Sequence, residues 1–411
     1  MMAETATCTV QRWLSIVGIG EDGVDGLSSV ARQLIRSAEL VVGGARHLEL
    51  AGELIQGRRL AWPNPIGDAF PEIERQRGRP VVVLASGDPF HFGVGKQIAA
   101  FVAADEFICL PQPSAFSLAA ARMGWPLQDV ALVTLHGRAL TGIIRHLQPG
   151  ARILALSWDS ATPRQLAELL AARGMGQSRM TVLEAMGGPR ERTHHATASQ
   201  FDISDIQPLN TIAIEVIAEP DAAIIPLGSG LDDDLFEHDG QLTKREIRAV
   251  TLSSLQPVQG QLLWDIGLGA GSVAIEWLLL HRSLRATGIE SRSDRAERAA
   301  RNAAALGVPE LEIVQGHAPD VLAGLARPDA VFIGGGMNDD SVFDAAWAAL
   351  KPGGRLVANA ISLETEARLA GYFQQYGGEL IRLQVARADR VGAMTGWRPA
   401  MPVTQWRVRK P

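Results

Sequence analysis

The sequence has 411 residues, 46% of them hydrophobic and 20% charged, which suits two or three domains of the usual ~100–200 residues with sizeable cores. A net charge of −6 excludes a generic nucleic-acid binder, which would carry a basic surplus or stripe, yet leaves room for local Arg and Lys facing an anionic small molecule. Cys8 and Cys109 have the spacing of neither a zinc site nor a disulfide framework. The N-terminus lacks a secretion signal, and no run approaches the ~20 apolar residues of a membrane helix. The expectation is a soluble cytoplasmic protein with no metal, nucleic-acid or membrane partner.

In chain order, WLSIVGIG (13–20) reads as a buried strand running into glycines. Strand-like runs recur at Val81–Ala85, Phe107–Leu110, Ala131–Leu135, Arg152–Leu156, Met180–Ala185 and Thr211–Val216, with helical stretches such as Gln165–Ala172 between several of them. From Glu219 to Gln241 the pattern breaks. This stretch carries Pro, Gly and four acidic residues between Asp232 and Glu237, and it reads as an interdomain linker.

A second α/β pattern follows: helix Thr243–Leu255, strand Gln261–Ile266, a glycine turn, helix Ser272–His281, strand Ala286–Glu290 and helix Ser293–Leu306. Strands Leu311–Gln315, Ala330–Ile333 and Arg355–Ala360 come next. Alternation of this kind predicts parallel pairing in an α/β sheet. Leu380–Val408 is strand-like without a helix, which predicts a closing antiparallel pair. Thr243 is placed to cap its helix, with Glu246 three residues on as a capping box requires.

The N-terminal half holds three marks: IVGIGEDG (16–23), LASGDPFHFGVG (84–95) and LPQPSAFSLAAARMGWP (110–126). They resemble the G-x-G-x-G, S-G-D-P and P-x-x-S-(A/S) loops of the tetrapyrrole methylases, class III S-adenosylmethionine enzymes. The resemblance implies a fold of two α/β subdomains over residues 11–220, with Gly87, Asp88, Ser114 and Ala115 at the cofactor. The opening turn departs from the usual G-x-G-P-G, having Glu21 and Asp22 before Gly23, which bears on the substrate trough more than on the fold. TLHGR (134–138) ends a further strand, where His136 and Arg138 either line the trough or lie on the surface.

In the C-terminal half LLWDIGLGAGSVAIEWL (262–278) carries a strand into a turn with Gly267, Gly269 and Gly271, from which a helix leaves at Ser272. Such glycines let the backbone pass close to a ligand. Dinucleotide binding would require glycine at position 272, so an NAD-dependent oxidoreductase is disfavoured. With Asp265 before the turn and Glu290 ending the next strand, the pattern resembles the class I S-adenosylmethionine methyltransferases of Rossmann-like fold. That resemblance implies a ribose role for Glu290, an adenine cradle at Gly316, His317 and Ala318 (or Gln315), and space for a flat substrate at Gly334 and Gly335. HDGQLTKREIRA (238–249) resembles the opening of the precorrin C15-methyltransferase (decarboxylating) family, which places Thr243 and Lys244 at the substrate.

The order of the two halves is similar to a bifunctional family of corrin biosynthesis. It implies domains at 11–220 and 242–411 joined by 221–241, one S-adenosylmethionine site in each, and a homo-oligomer. It also implies methylation of a precorrin at carbons 5 and 15 with loss of the ring-C acetate carboxyl. The same chemistry on a cobalt-precorrin or another cyclic tetrapyrrole is the alternative. Lys244, Arg245 and Arg190 are candidate partners for substrate carboxylates.

Overall fold

Runs of aliphatic residues alternating with Ala- and Leu-rich stretches become the strands and helices of three larger sheets and one hairpin. The computed structural model describes residues 12–411, so Cys8 lies outside it. The chain separates into two compact units. One holds the residues up to Arg138 together with Gln148–Ala223; the other holds Ala139–Leu147 and Ile224–Pro411. Among the described residues no helix is long and apolar enough to cross a membrane.

In the first unit β1 (Leu14–Ile19), β2 (Leu40–Gly43), β3 (Arg58–Ala61), β4 (Val81–Ser86) and β5 (Phe107–Leu110) form a wholly parallel sheet in the order β3-β2-β4-β1-β5. Alternate residues point to opposite faces. Val17, Ile19, Val82 and Leu84 therefore join one core with Ile35 and Leu48, while Leu14, Ile16, Val81 and Val83 join another with Ile73 and Ile98. The second sheet of this unit contains β6 (Val130–Thr134), β7 (Arg152–Leu156), β8 (Arg179–Glu184), β9 (Arg192–Thr197) and β10 (Asn210–Glu215). Its order is β6-β7-β10-β8-β9, parallel only between β6 and β7. Two α/β subdomains are what the resemblance implies for this half; β2, β3 and β9 are strands that the sequence reading does not reveal.

The second unit has a seven-stranded sheet: β11 (Leu262–Ile266), β12 (Arg285–Glu290), β13 (Glu312–Gln315), β14 (Ala330–Ile333), β15 (Arg355–Ala360), β16 (Glu379–Leu383) and, after the hairpin of β17 (Ala386–Val391) and β18 (Met394–Pro399), β19 (Val403–Arg409). The order is β13-β12-β11-β14-β15-β19-β16, with β19 antiparallel to both its neighbours. Strand order reverses beside β11, and ligands of open α/β sheets bind at the carboxyl ends of the strands at such a switch point. Behind it, Trp264, Phe343 and Trp406 anchor the core, and the Phe343 ring lies 4.1 Å from that of Tyr372.

The capping box does not form. The helix runs Arg245–Leu255, and its N-cap, Lys244, makes no side-chain cap bond. Asp233 Oδ1 instead accepts the Arg245 N–H at 3.0 Å, and Glu246 pairs with Arg387. A carboxylate delivered by the upstream turn is a stronger acceptor at a helix N-terminus than the Thr243 hydroxyl.

The stretch after Ala223 is irregular apart from the turn Asp233–Leu235, yet Ile225, Leu231 and Phe236 are buried. Glu276 accepts the N–H groups of Gly230 and Leu231 at 2.7 and 2.9 Å and pairs with the fully buried Arg248, which also donates to Leu231 O. Removing Glu276 leaves the buried Arg248 with Asp233, at 3.3 Å, as its remaining carboxylate partner and leaves the Gly230 and Leu231 N–H groups without that acceptor. Glu276→Ala should therefore cost about 3–5 kcal/mol of stability, read as a lower urea midpoint; an unchanged midpoint would contradict it.

Candidate functional site

At the carboxyl end of β11 the chain turns through Gly267 at φ +77°, and the helix Ser272–Leu280 leaves from Gly271, its left-handed N-cap. A Cβ on Gly267 would lie 2.8 Å from the Gly335 nitrogen, so the turns after β11 and β14 touch backbone to backbone. The N–H groups of Gly267 and Leu268 both donate to Ile289 O at 3.0 Å. Glu290, at the end of β12 and 4% exposed, accepts Gly269 N–H on one oxygen at 2.9 Å and Arg292 N–H on the other at 3.0 Å. Its carboxylate is thus fixed before any ligand arrives.

Asp265 is buried, and its Oδ2 accepts Ala274 N–H at 3.1 Å. Its Oδ1 has no partner. Burial pushes the carboxyl up to about 8, and the nearby Glu290 adds to the shift. A buried, unpaired carboxyl oxygen on a cavity wall is poised to accept a cationic ligand group.

These groups line a cavity of ≈ 830 Å³. Of the residues expected at the cofactor, Asp265, Gly267, Gly269, Ser272, Glu290, Gly316, His317, Ala318, Gly334 and Gly335 are in its wall, as are Thr243 and Lys244. Gly271 is not; it turns the chain into the helix. Gln315 is also outside the wall, and Arg245 pairs with Asp232 at 2.6 Å instead. The sequence does not reveal Arg295, Asn359, Ser362 and Arg387, which also face the cavity. Asn359 belongs to a buried network: its amide donates to Thr251 Oγ1 at 3.0 Å, and Gln405 donates to Asn359 Oδ1 at 2.9 Å.

In the first unit the ends of β1, β4 and β5 meet equally closely. A Cβ on Gly18 would lie 1.9 Å from Gly87 O, and one on Gly87 would lie 2.7 Å from Pro113 O. Asp88 Oδ1 accepts Phe90 N–H at 2.9 Å, while Ser114 caps the helix Ala115–Met123 through Ser117 N–H at 3.2 Å. Both side chains are engaged in shaping their own turns, which leaves backbone groups to face a ligand. His136 and Arg138 are exposed after β6, the His136 ring 6.0 Å from that of Trp158. Burial, with the Asp88 carboxylate adding to it, pushes the Cys109 thiol up to about 11, so it is no nucleophile near neutral pH.

Two family descriptions match the chain: tetrapyrrole (corrin/porphyrin) methylases over residues 14–202 and a precorrin methyltransferase domain over 234–410. A precorrin-6Y C(5,15)-methyltransferase (decarboxylating) of Sinorhizobium sp. is 55% identical over 97% of this chain and 96% of its own length. The chain belongs to the precorrin-6Y C(5,15)-methyltransferase (decarboxylating) family. A relative of that name from Mycobacterium tuberculosis (strain CDC 1551 / Oshkosh) is 38% identical over 96% of this chain and 99% of its own. A solved C-terminal domain of a precorrin-6Y C5,15-methyltransferase from Rhodobacter capsulatus is 44% identical, covering 45% of this chain and all of that one at a TM-score of 0.43.

The family is one of S-adenosylmethionine-dependent methyltransferases, and the residues of the C-terminal cleft fit that donor. The close-packed glycines after β11 and β14 leave backbone rather than side chains at the strand ends, Glu290 offers a carboxylate at the end of β12, and Asp265 offers the unpaired oxygen.

Proposed function

We propose that this chain methylates a precorrin at carbons 5 and 15 and removes the ring-C acetate carboxyl, converting precorrin-6Y (precorrin-6B) to precorrin-8 in cobalamin biosynthesis. In this reading residues 11–220 serve carbon 5, residues 242–411 serve carbon 15 and the decarboxylation, and each half has its own S-adenosylmethionine site. The observation that carries it is the close backbone approach of glycine turns at the carboxyl ends of the central strands of each unit, with the cavity that they border in the second.

The donor supplies a methyl group made electrophilic by its sulfonium. The chain's part is alignment and exclusion of water. Glu290 would accept from the ribose hydroxyls, and Asp265 would face the cationic end. The narrow contact of Gly267 with Gly335 keeps side chains out of the space between donor and ring. Lys244, Arg295 and Arg387 on the wall answer the carboxylates of the substrate. When CO₂ leaves, its electron pair passes into the conjugated imines of the macrocycle, and the enamine so formed takes up a proton from water to complete the methyl group, so no dedicated base is required.

Gly18→Val separates the two activities in the intact chain. A valine Cβ at that position collides with Gly87 O, so the carbon-5 methyl should be lost. One methyl gain and the loss of CO₂ should persist by mass spectrometry. If the variant loses decarboxylation as well, the division of labour is wrong. If the parent chain binds S-adenosylmethionine but leaves the tetrapyrrole unchanged, the substrate assignment falls.

A further inference from the structure

At the carboxyl edge of the parallel sheet of the first unit, four polar side chains from three strand ends are joined, Ser86 of the S-G-D-P turn and Glu21 of the opening glycine turn among them. Glu21 follows β1, Arg46 and His47 lie in the short helix Ala45–Ala51 after β2, and Ser86 ends β4. Arg46 Nη1 pairs with Glu21. Its Nη2 donates to Ser86 Oγ at 3.0 Å and to His47 Nε2 at 3.1 Å, and Ser86 Oγ lies 2.8 Å from the same ring nitrogen. Arg190, from the connection between β8 and β9, comes within 3.6 Å of Glu21.

The guanidinium has no lone pair, so His47 Nε2 must accept from it and the imidazole stays neutral. Burial, with Arg46 adding to it, lowers this histidine to about 4, in keeping with that role. Two cations thus share one carboxylate. The Glu21 side chain is only 8% exposed, while those of Arg46 and Arg190 are 34% and 67% exposed. Gly188 covers Glu21 so closely that a Cβ there would lie 2.6 Å from the Glu21 Cβ. The anion is set back, the positive surplus faces outward, and the exposed Ser86 hydroxyl stands beside it. A pair serving stability alone would need one cation. Here Glu21, Ser86 and His47 instead hold the Arg46 guanidinium in one place, so that with Arg190 it presents a fixed positive charge to an incoming carboxylate.

We propose that Arg46, flanked by Ser86 and Arg190, is a carboxylate subsite of the N-terminal half that takes an acetate or propionate group of the macrocycle. Glu21 and His47 are its positioning residues. The inference rests on the reading that this half methylates the tetrapyrrole.

The test uses the full-length chain and follows the methylation that Gly18→Val removes. Arg46→Ala should raise KM for the tetrapyrrole in that step by about 10- to 100-fold, with S-adenosylmethionine binding and the decarboxylating step unchanged. Arg46→Lys should recover only part of the loss, because an ammonium keeps the charge but cannot span Glu21, Ser86 and His47 to stay in place. His47→Gln, which keeps an acceptor, should stay near the parent KM, whereas His47→Leu should drift toward Arg46→Ala. An unchanged KM in Arg46→Ala, with only the melting temperature lowered, overturns the subsite and leaves a structural ion pair. A parent chain that transfers no methyl through this half overturns the parent reading, and the subsite with it.

Discussion

Glu290→Ala is expected to weaken S-adenosylmethionine binding in the C-terminal half by about 10²- to 10⁴-fold and to abolish decarboxylation with it. Hydrogen bonds to a charged acceptor are worth about 1.5–3 kcal/mol each, and a ribose diol presents two of them. The substitution also removes what holds the turn: Gly269 N–H and Arg292 N–H both donate to this carboxylate. Glu290→Gln separates the two effects, since an amide can keep one acceptor oxygen while losing the charge. Calorimetric titration should find one site lost and one retained, because Glu290 belongs only to the second unit. Loss of both sites would show that the two halves do not bind independently, and loss of neither would remove Glu290 from the cofactor site.

The parts of this site that are legible in the sequence are those built from neighbouring residues. The strand, the glycine turn and the helix of 262–278 are contiguous, and Glu290 lies one β-α unit further on, so local pattern places them together. Arg387 and Asn359 carry no such signal. Asn359 lies at the end of β15, and Arg387 lies on the hairpin between β16 and β19, a segment held at the site by the long-range pairing of β19 with β15. Arg46 is one basic residue on a short helix, and only the parallel pairing of β2, β4 and β1 brings it to Glu21 and Ser86. Thr243 shows the opposite failure: the local capping pattern is present, but Asp233, twelve residues before Arg245, outcompetes it. Among the strands, β3 and β9 are sheet edges whose residues are exposed or only partly buried, and neither offers a hydrophobic period long enough to read.

Asp265→Asn should reverse the usual expectation that an active-site substitution destabilises. The folded carboxyl titrates at about 8 against 3.8 for a free one. Between those values the unfolded chain has released the proton and the folded one retains it, so stability is full below about pH 4 and falls as pH rises toward 8. By pH 7 the loss is on the order of 4 kcal/mol. Asparagine cannot ionise, so the ligand-free variant should gain on its parent as pH rises from 5 to 8. The difference between the two chains at each pH cancels the contribution of His47. That group is lowered in the folded state, and its stabilising effect is instead lost as pH falls from 6.5 to about 4. Urea midpoints at pH 5 and pH 8 measure the gap, and a gap that does not widen contradicts the buried, protonated carboxyl. The same group sets the pH dependence of binding. A cationic ligand favours the ionised form, so affinity in the C-terminal half should rise with pH up to about 8, with proton release on binding. Calorimetry in buffers of different ionisation enthalpy detects that proton directly, and Asp265→Asn should abolish it.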